Sequence, residues 1–317
     1  MNLLKAFFKL IRWPNLAFIV ITQTLFYCSF IFDSISDVNN PQILLKPVLF
    51  ALLAAASVFI AAGGYIINDY FDLNIDKINK PADIIVEKLI KRRWAIVWHL
   101  VLSSLGILLS FYVGYRIGNW LLGPVNFLSV LLLWFYSTTF KKKLIIGNVL
   151  ISLLTAWVVL VLYFCEVRFY YVLNPPTEEY KRYIKLLFKA AVLYGGFAFI
   201  ISLVREVIKD LEDIQGDAKY GCRTMPIVWG VPASKVFIAT WLVVIIAALA
   251  IVQVYAIQLH WWWSALYCIV FIIAPLALLF RSLKRAAVPK DYHRMSSRVK
   301  LIMLTGILSM AVFKLYT

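Results

Sequence analysis

Carboxylates are scarce in this chain and unevenly placed. Of its 16 Asp and Glu residues, eight fall in two short windows, 68–76 and 206–217. The first reads Asn68-Asp69-Tyr70-Phe71-Asp72-Leu73-Asn74-Ile75-Asp76. Asn68, Asp72 and Asp76 are spaced by four, which stacks them along one face of a helix, with Asp69 off that stripe. Carboxylates so arranged repel one another unless a cation sits between them. An all-oxygen donor set suits Mg²⁺, which keeps some waters and completes its shell with phosphate oxygens. The second window runs from Arg205 through Glu206, Lys209, Asp210, Glu212, Asp213 and Gly216 to Asp217. Glu206, Asp210, Asp213 and Asp217 recur at i, i+4, i+7 and i+11 and predict a single helical stripe. Lys209 lies one turn before Asp213 and Arg205 one turn before Lys209, so cations flank the acids. Gly216 offers either a helix end or a close backbone approach. Acids on a solvated loop would merely soften a basic face. Two clusters, each with four-residue spacing and each beside an apolar run, point instead to a metal-assisted anion site.

The elements that must position these acids are set by composition. The chain has 317 residues, 63% hydrophobic and 15% charged, with mean hydropathy +0.84. Soluble domains carry about 25% charged residues, so the solvent for most of this chain is lipid. A soluble enzyme, a disordered protein and a secreted disulfide scaffold are excluded. Nine apolar runs long enough to span a bilayer lie at about 14–32, 47–67, 95–113, 119–138, 144–165, 187–204, 236–258, 261–280 and 299–316. The expected fold is all-α: a polytopic membrane protein with nine transmembrane helices around a central cavity opening near the cytoplasmic face, 1–317 forming one membrane-embedded domain. The first run lacks a small-residue cleavage site and reads as a retained helix. Cys28, Cys165, Cys222 and Cys268 have no pair spacing and read as small hydrophobes.

Net charge is +16, and its distribution excludes a nucleic-acid partner. Counted over alternate sides of nine spans, 24 of the 32 Lys and Arg residues fall on the side holding the N-terminus and both acid windows. By the positive-inside rule that side is cytoplasmic, in a prokaryotic inner membrane. The outer loop 166–186, with Pro175-Pro176, reads as an interfacial aromatic belt. His99, His260 and His293 lack metal-ligand spacing and read as structural.

Asn68-x-x-x-Asp72-x-x-x-Asp76 resembles the first aspartate-rich motif of the UbiA superfamily of intramembrane prenyltransferases. Lys209-Asp-x-Glu-Asp213-x-x-Gly-Asp217, followed by Gly221-x-x-Thr224-x-Pro226, resembles the second. That long form is nearest to the lineage of digeranylgeranylglyceryl phosphate synthase and chlorophyll synthase. The resemblance covers essentially the whole chain. It implies Asn68, Asp72, Asp76, Asp213 and Asp217, with Asp210 in some subfamilies, as ligands of Mg²⁺ and diphosphate. It further implies catalytic roles for Asp72, Asp213, Tyr136 and Lys209. Tyr136-Ser137 resembles the Tyr-Ser pair beside the diphosphate. Lys141, Lys142 and Lys143 follow it, as phosphate partners or as positive-inside anchors. Arg12-Trp13-Pro14-Asn15 resembles the entry to the first helix, where Asn15 would face the cavity. After Asn79-Lys80-Pro81 many members carry Arg-Pro-Ile-Pro-Ser-Gly, and this chain has Asp83-Ile84-Ile85-Val86-Glu87-Lys88 instead. Charge at the diphosphate would then come from Lys80, Lys88, Arg92 or Arg93.

The implied reaction is Mg²⁺-dependent prenyl transfer. Its partners are a prenyl diphosphate donor, a hydrophobic or amphipathic acceptor, and membrane lipid. Carboxylate-held Mg²⁺ stabilises the charge that develops on the leaving diphosphate, and a lipid-embedded aromatic lining keeps water from the allylic cation. A prenylated glycerol phosphate, a quinone-ring precursor and a tetrapyrrole acid all remain open as acceptors, with the long second motif favouring the first. An ion-coupled transporter would place its acids near the midplane on broken helices. A CDP-alcohol phosphotransferase would carry an Asp-Gly-x-x-Ala-Arg segment, which is missing here.

Overall fold

A computed structural model describes residues 3–32, 44–82, 84–167 and 178–316. Most of the outer-loop expectation, including Pro175-Pro176, and Asp83 lie outside these residues. The described residues are helical, with no strand beyond an isolated bridge between Val86 and Ile90. The helices are α1 (Leu3–Leu10), α2 (Trp13–Tyr27, prolonged by a π turn, Cys28–Phe32), α3 (Pro47–Asn79), α4 (Arg92–Ile117), α5 (Leu122–Thr138) and α6 (Ile146–Glu166). There follow α7 (Glu178–Glu212), α8 (Ile214–Lys219), α9 (Met225–Val228), α10 (Gly230–Gln258), α11 (Trp262–Cys268), α12 (Ala274–Arg285) and α13 (Pro289–Phe313). A second π turn, Ile269–Ile273, joins α11 to α12.

Eight of these segments are long and apolar enough to cross a membrane, and α5, at 17 residues, is a shorter apolar helix. At about 1.5 Å per residue, α5 spans about 26 Å, just short of a 30 Å hydrocarbon core. The expected nine runs thus all appear as helices, eight of them of spanning length. The chain is an integral membrane protein. Two helices outrun the apolar runs that announced them: α3 continues to Asn79, carrying the first acid window, and α7 to Glu212, carrying the first part of the second. At the other end of the chain α13 starts at Pro289, well before the apolar run at 299. Its start is fixed by Pro289 at the first position and by Asp291, whose carboxylate accepts the Ala287 and Val288 N–H groups.

The described residues form two compact units, 1–140 with 157–195, and 141–156 with 196–317. In the first, α3 and α4 pack most closely because small residues face one another. A Cβ on Gly63 would come within 2.6 Å of Ser103 Oγ, and one on Gly106 within 2.7 Å of Ile60 Cγ1. Buried His99 sits at this seam, its Nδ1 3.0 Å from the Gly63 carbonyl. The carbonyl can only accept, so Nδ1 carries the proton and the ring is a packing element. A core beneath it gathers Ala6 and Leu10 of α1 with Ile66, Ile85, Val86 and Ile90. In the second unit, α7, α10, α12 and α13 bury a continuous core that includes Ile201, Val204, Ile208, Leu242, Leu276 and Val299. All four cysteines are free, and Cys165, Cys222 and Cys268 are buried.

Candidate active site

The first acid window lies on the last turns of α3, and the helix runs through it unbroken. Asn68, Asp72 and Asp76 therefore do share one stripe. Asp72 is buried, at 4% exposure, while Asn68 and Asp76 are half-buried. Asn68 Nδ2 donates to Asp72 Oδ2 at 2.6 Å, which fixes the amide orientation. Its oxygen, Asn68 Oδ1, is buried without a hydrogen-bond partner. An unsatisfied carbonyl oxygen beside a buried carboxylate suits an entering cation, because burying such a group unpaired is unfavourable.

Asp69, one residue off the stripe, has its own partner. Arg12 Nη2 reaches Asp69 Oδ1 at 2.6 Å, and the same guanidinium lies 5.3 Å over the Tyr65 ring, one turn earlier on α3. Burial works against the Arg12 charge. Asp69 and its neighbours outweigh that and hold the Arg12 pKa above its ordinary value. Arg12 itself is left-handed (φ 51°, ψ 53°) and forms the elbow between α1 and α2. Asn15 follows on the first turn of α2 and is half-buried.

The segment that departs from the family pattern folds as a tight turn. Ile85, Val86 and Ile90 are buried in the core under α3, and Glu87 caps the turn at φ 69°. The Glu87 carboxylate takes both Lys77 (3.4 Å) and Arg92 (3.3 Å). Arg92 also lies 4.7 Å over the Tyr70 ring. Of the four candidate cations, Arg92 is thus committed to Glu87, and Lys88 is exposed at the tip of the turn. Arg93, the second residue of α4, is exposed as well. Lys80, half-buried, ends α3, its N–H bonded to the Asp76 carbonyl at 2.8 Å. Tyr136 and Ser137 lie on the last turn of α5. Tyr136 is half-buried, and the buried Ser137 donates its hydroxyl to the Leu133 carbonyl at 2.9 Å.

The second window does not lie on one helix. α7 ends at Glu212, Asp213 (φ −97°, ψ 8°) is the break, and α8 begins at Ile214. No proline or glycine occupies the break. An aspartate does, a residue whose side chain competes with helical hydrogen bonding. Glu206 and Asp210 therefore ride on α7, half-buried Asp213 at the corner, and buried Asp217 on α8. Nor does Gly216 end a helix: it is buried inside α8, and Gly221 (φ 70°) makes the left-handed turn. Cys222 N–H bonds to the Asp217 carbonyl (2.9 Å) and Gly221 N–H to the Ala218 carbonyl (3.2 Å). That pair of bonds is a Schellman closure, and it pins the backbone of Asp217.

Lys209, placed by sequence before Asp213, bonds Glu206 at 2.9 and 3.2 Å, and Arg205 reaches the same carboxylate at 3.0 Å. Lys141, half-buried in the turn Phe140–Lys142, also acts electrostatically on Glu206. Lys142 and Lys143 are exposed, so Lys141 alone of the triplet turns inward. Half-buried Asp210 accepts from Asn148 Nδ2 at 2.8 Å. Asn148 was not anticipated as a site residue, although an amide inside the apolar run 144–165 was the signal. Glu212, off the stripe, pairs with His293 of α13 at 2.9 Å.

Among the described residues no three His, Cys, Asp or Glu side chains gather closely enough to enclose a metal.

The chain is similar to curated relatives across much of its length. Digeranylgeranylglyceryl phosphate synthase of Methanothermobacter thermautotrophicus is 35% identical over 226 residues, 70% of this chain and 69% of the relative. That of Methanosphaera stadtmanae is 30% identical over 264 residues, 82% and 86% of the two chains. A solved structure concerned with digeranylgeranylglyceryl phosphate synthase in membranes shares the fold over 100% of both chains, with TM-score 0.64 and 24% identity. A UbiA homologue from Archaeoglobus fulgidus, bound to DMAPP and Mg²⁺, does so at TM-score 0.53 and 13% identity, over 96% of this chain and 99% of its own. The match to the UbiA prenyltransferase family runs from residue 38 to 304, and this chain belongs to that family.

Proposed function

We propose that this prenyltransferase moves a prenyl group from a prenyl diphosphate to the hydroxyl of a prenylated glycerol phosphate, with Mg²⁺ as cofactor, as one membrane-embedded domain. The observation that carries the acceptor is the likeness to digeranylgeranylglyceryl phosphate synthases at 30–35% identity. The UbiA homologue bound to DMAPP and Mg²⁺ supports the donor class and the metal.

Asn68, Asp72 and Asp76 on α3, with Asp213 and Asp217 around the α7–α8 corner, offer the oxygens for metal and diphosphate. Bound Mg²⁺ would supply charge neutralisation of the departing diphosphate. Asp210, satisfied by Asn148, supports this set from one turn away. Lys209 and Arg205 hold Glu206 and concentrate positive charge beside the acids of the second motif, and in this reading Lys141, Lys80 and Tyr136 would hydrogen-bond diphosphate oxygens. Asn15 would line the donor's path. In the reaction the C1–O bond of the donor breaks and its electron pair leaves with the diphosphate. The acceptor oxygen forms the new bond to C1 and passes its proton to the departing diphosphate. Apolar spans around the donor exclude water from the allylic cation. The active site is assigned to the cytoplasmic side of a prokaryotic inner membrane, on the charge asymmetry of the loops.

The test is direct. Purified protein with Mg²⁺ and geranylgeranyl diphosphate is offered geranylgeranylglyceryl phosphate, or a hydroxybenzoate as quinone-ring precursor, and products are read by mass spectrometry. Prenylation of the glycerol phosphate alone is expected. Prenylation of the aromatic ring alone would overturn the acceptor assignment.

A further inference from the structure

Beyond the acids, the second motif holds one side chain whose chemistry nothing in the fold uses. Thr224 is buried, at 4% exposure, and its Oγ1 has no hydrogen-bond partner. It stands at the N-cap of α9, where threonine ordinarily accepts a bond from the second or third N–H of the helix. Here the second position is Pro226, which has no N–H. The third, Ile227, gives its N–H to the Thr224 backbone carbonyl at 3.1 Å. The hydroxyl is therefore excluded from capping by the residues around it.

Its place in the chain is tightly determined. The Schellman closure from Asp217 to Cys222 returns the chain beside α8. The Arg223 N–H then docks on the Lys142 carbonyl at 2.8 Å, next to the inward-turned Lys141. Thr224 thus follows directly on a segment anchored to the Asp217 carbonyl through Cys222 and to the Lys142 carbonyl through Arg223. A buried hydroxyl without a partner is unfavourable in the free protein, and it becomes favourable when an acceptor arrives.

We infer that Thr224 donates a hydrogen bond to an oxygen of the diphosphate, making it a further substrate-contacting residue of the second motif. The inference rests on the proposed donor chemistry. It sets two effects against each other: the hydroxyl weakens the free protein and strengthens the liganded one.

Thr224→Val keeps the shape and removes the hydroxyl. Its melting temperature without ligand should equal or exceed that of the unsubstituted protein. Its affinity for inorganic pyrophosphate with Mg²⁺, measured by thermal shift and calorimetry, should fall about ten- to a hundredfold, as for a lost hydrogen bond to a charged group. Thr224→Ser should restore the affinity, and Thr224→Ala should lose it as the valine variant does. Should valine fail to fold, the serine and alanine pair makes the same comparison. A lower ligand-free melting temperature with unchanged pyrophosphate affinity would mean a packing role and overturn the inference. If the unsubstituted protein turns over substrate and all three variants bind Mg²⁺–pyrophosphate as it does, only the Thr224 assignment fails. If the unsubstituted protein neither binds nor turns over, the proposed function fails with it.

Discussion

Arg12 and Asp69 lie 2.6 Å apart and tie the elbow before α2 to the very turn of α3 that carries the first motif. Asp69 is next to Asn68 in sequence, yet its role is a different one, holding α1 and α2 against the acid-bearing helix. The left-handed backbone of Arg12, uncommon for a residue with a Cβ, is maintained by this contact and by the Tyr65 ring.

Asp69→Ala should therefore behave as a positioning variant. Arg12 is about one-third exposed, so the pair is screened, and a double-mutant cycle with Arg12→Ala should give a coupling of about 1 kcal/mol in stability. Turnover should fall far less than in Asp72→Ala. Additive single effects, with no coupling, would show that the pair does not fasten the elbow.

The motif acids themselves should be far more sensitive. Asp72→Ala and Asp213→Ala each remove a carboxylate from a different motif, and each should reduce turnover by at least about 10²–10³-fold. Both variants should remain folded in the membrane, since neither acid lies in the apolar cores. Near-normal turnover in either would refute the assignment of that motif.

Much of this site was legible in the sequence, and its failures have physical causes. The four-residue spacing of Asn68, Asp72 and Asp76 predicted a shared stripe because α3 runs straight through it. The same rule failed at Asp213, where a helix breaks without a proline or glycine to announce it. Local chemistry located the acids but not their long-range partners. Asn148 is 62 residues from Asp210 and Arg12 is 57 from Asp69, separations at which spacing rules carry no signal. The substituted turn 84–90 likewise concealed that its Glu87 would occupy Arg92, one of the cations expected at the phosphate.

Asn148→Ala should expose the value of the missed contact. It leaves half-buried Asp210 without its amide donor, at a cost of about 1–3 kcal/mol in stability. Asn148→Asp should be worse, since it sets two carboxylates against each other, and added Mg²⁺ should recover part of the loss. A neutral Asn148→Ala by thermal melting would contradict the bond's importance.

At Glu87, backbone and side chain oppose each other. Its left-handed conformation is unfavourable by about 1–2 kcal/mol for a residue with a Cβ, and the exposed pairs with Lys77 and Arg92 return little. Glu87→Gly should be more stable than Glu87→Ala by about 1 kcal/mol, because both lose the pairs and only glycine sheds the strain. Equal stability of the two variants would show that the turn relaxes to another conformation.

The orientation of the motifs can be read from the two ends of one helix. α4 has 26 residues, about 39 Å at 1.5 Å per residue, so both ends clear a hydrocarbon core of about 30 Å. By the count of Lys and Arg over nine spans, Leu89, exposed in the turn before it, is expected on the side that carries 24 of the 32 Lys and Arg residues. Arg116, in the last turn, is expected on the other. In a chain whose four cysteines are replaced by serine or alanine, Leu89→Cys should resist a membrane-impermeant maleimide in intact cells and react in inverted vesicles. Arg116→Cys should show the reverse. Labelling of Leu89→Cys from outside intact cells would invert the topology and place both motifs on the outer face.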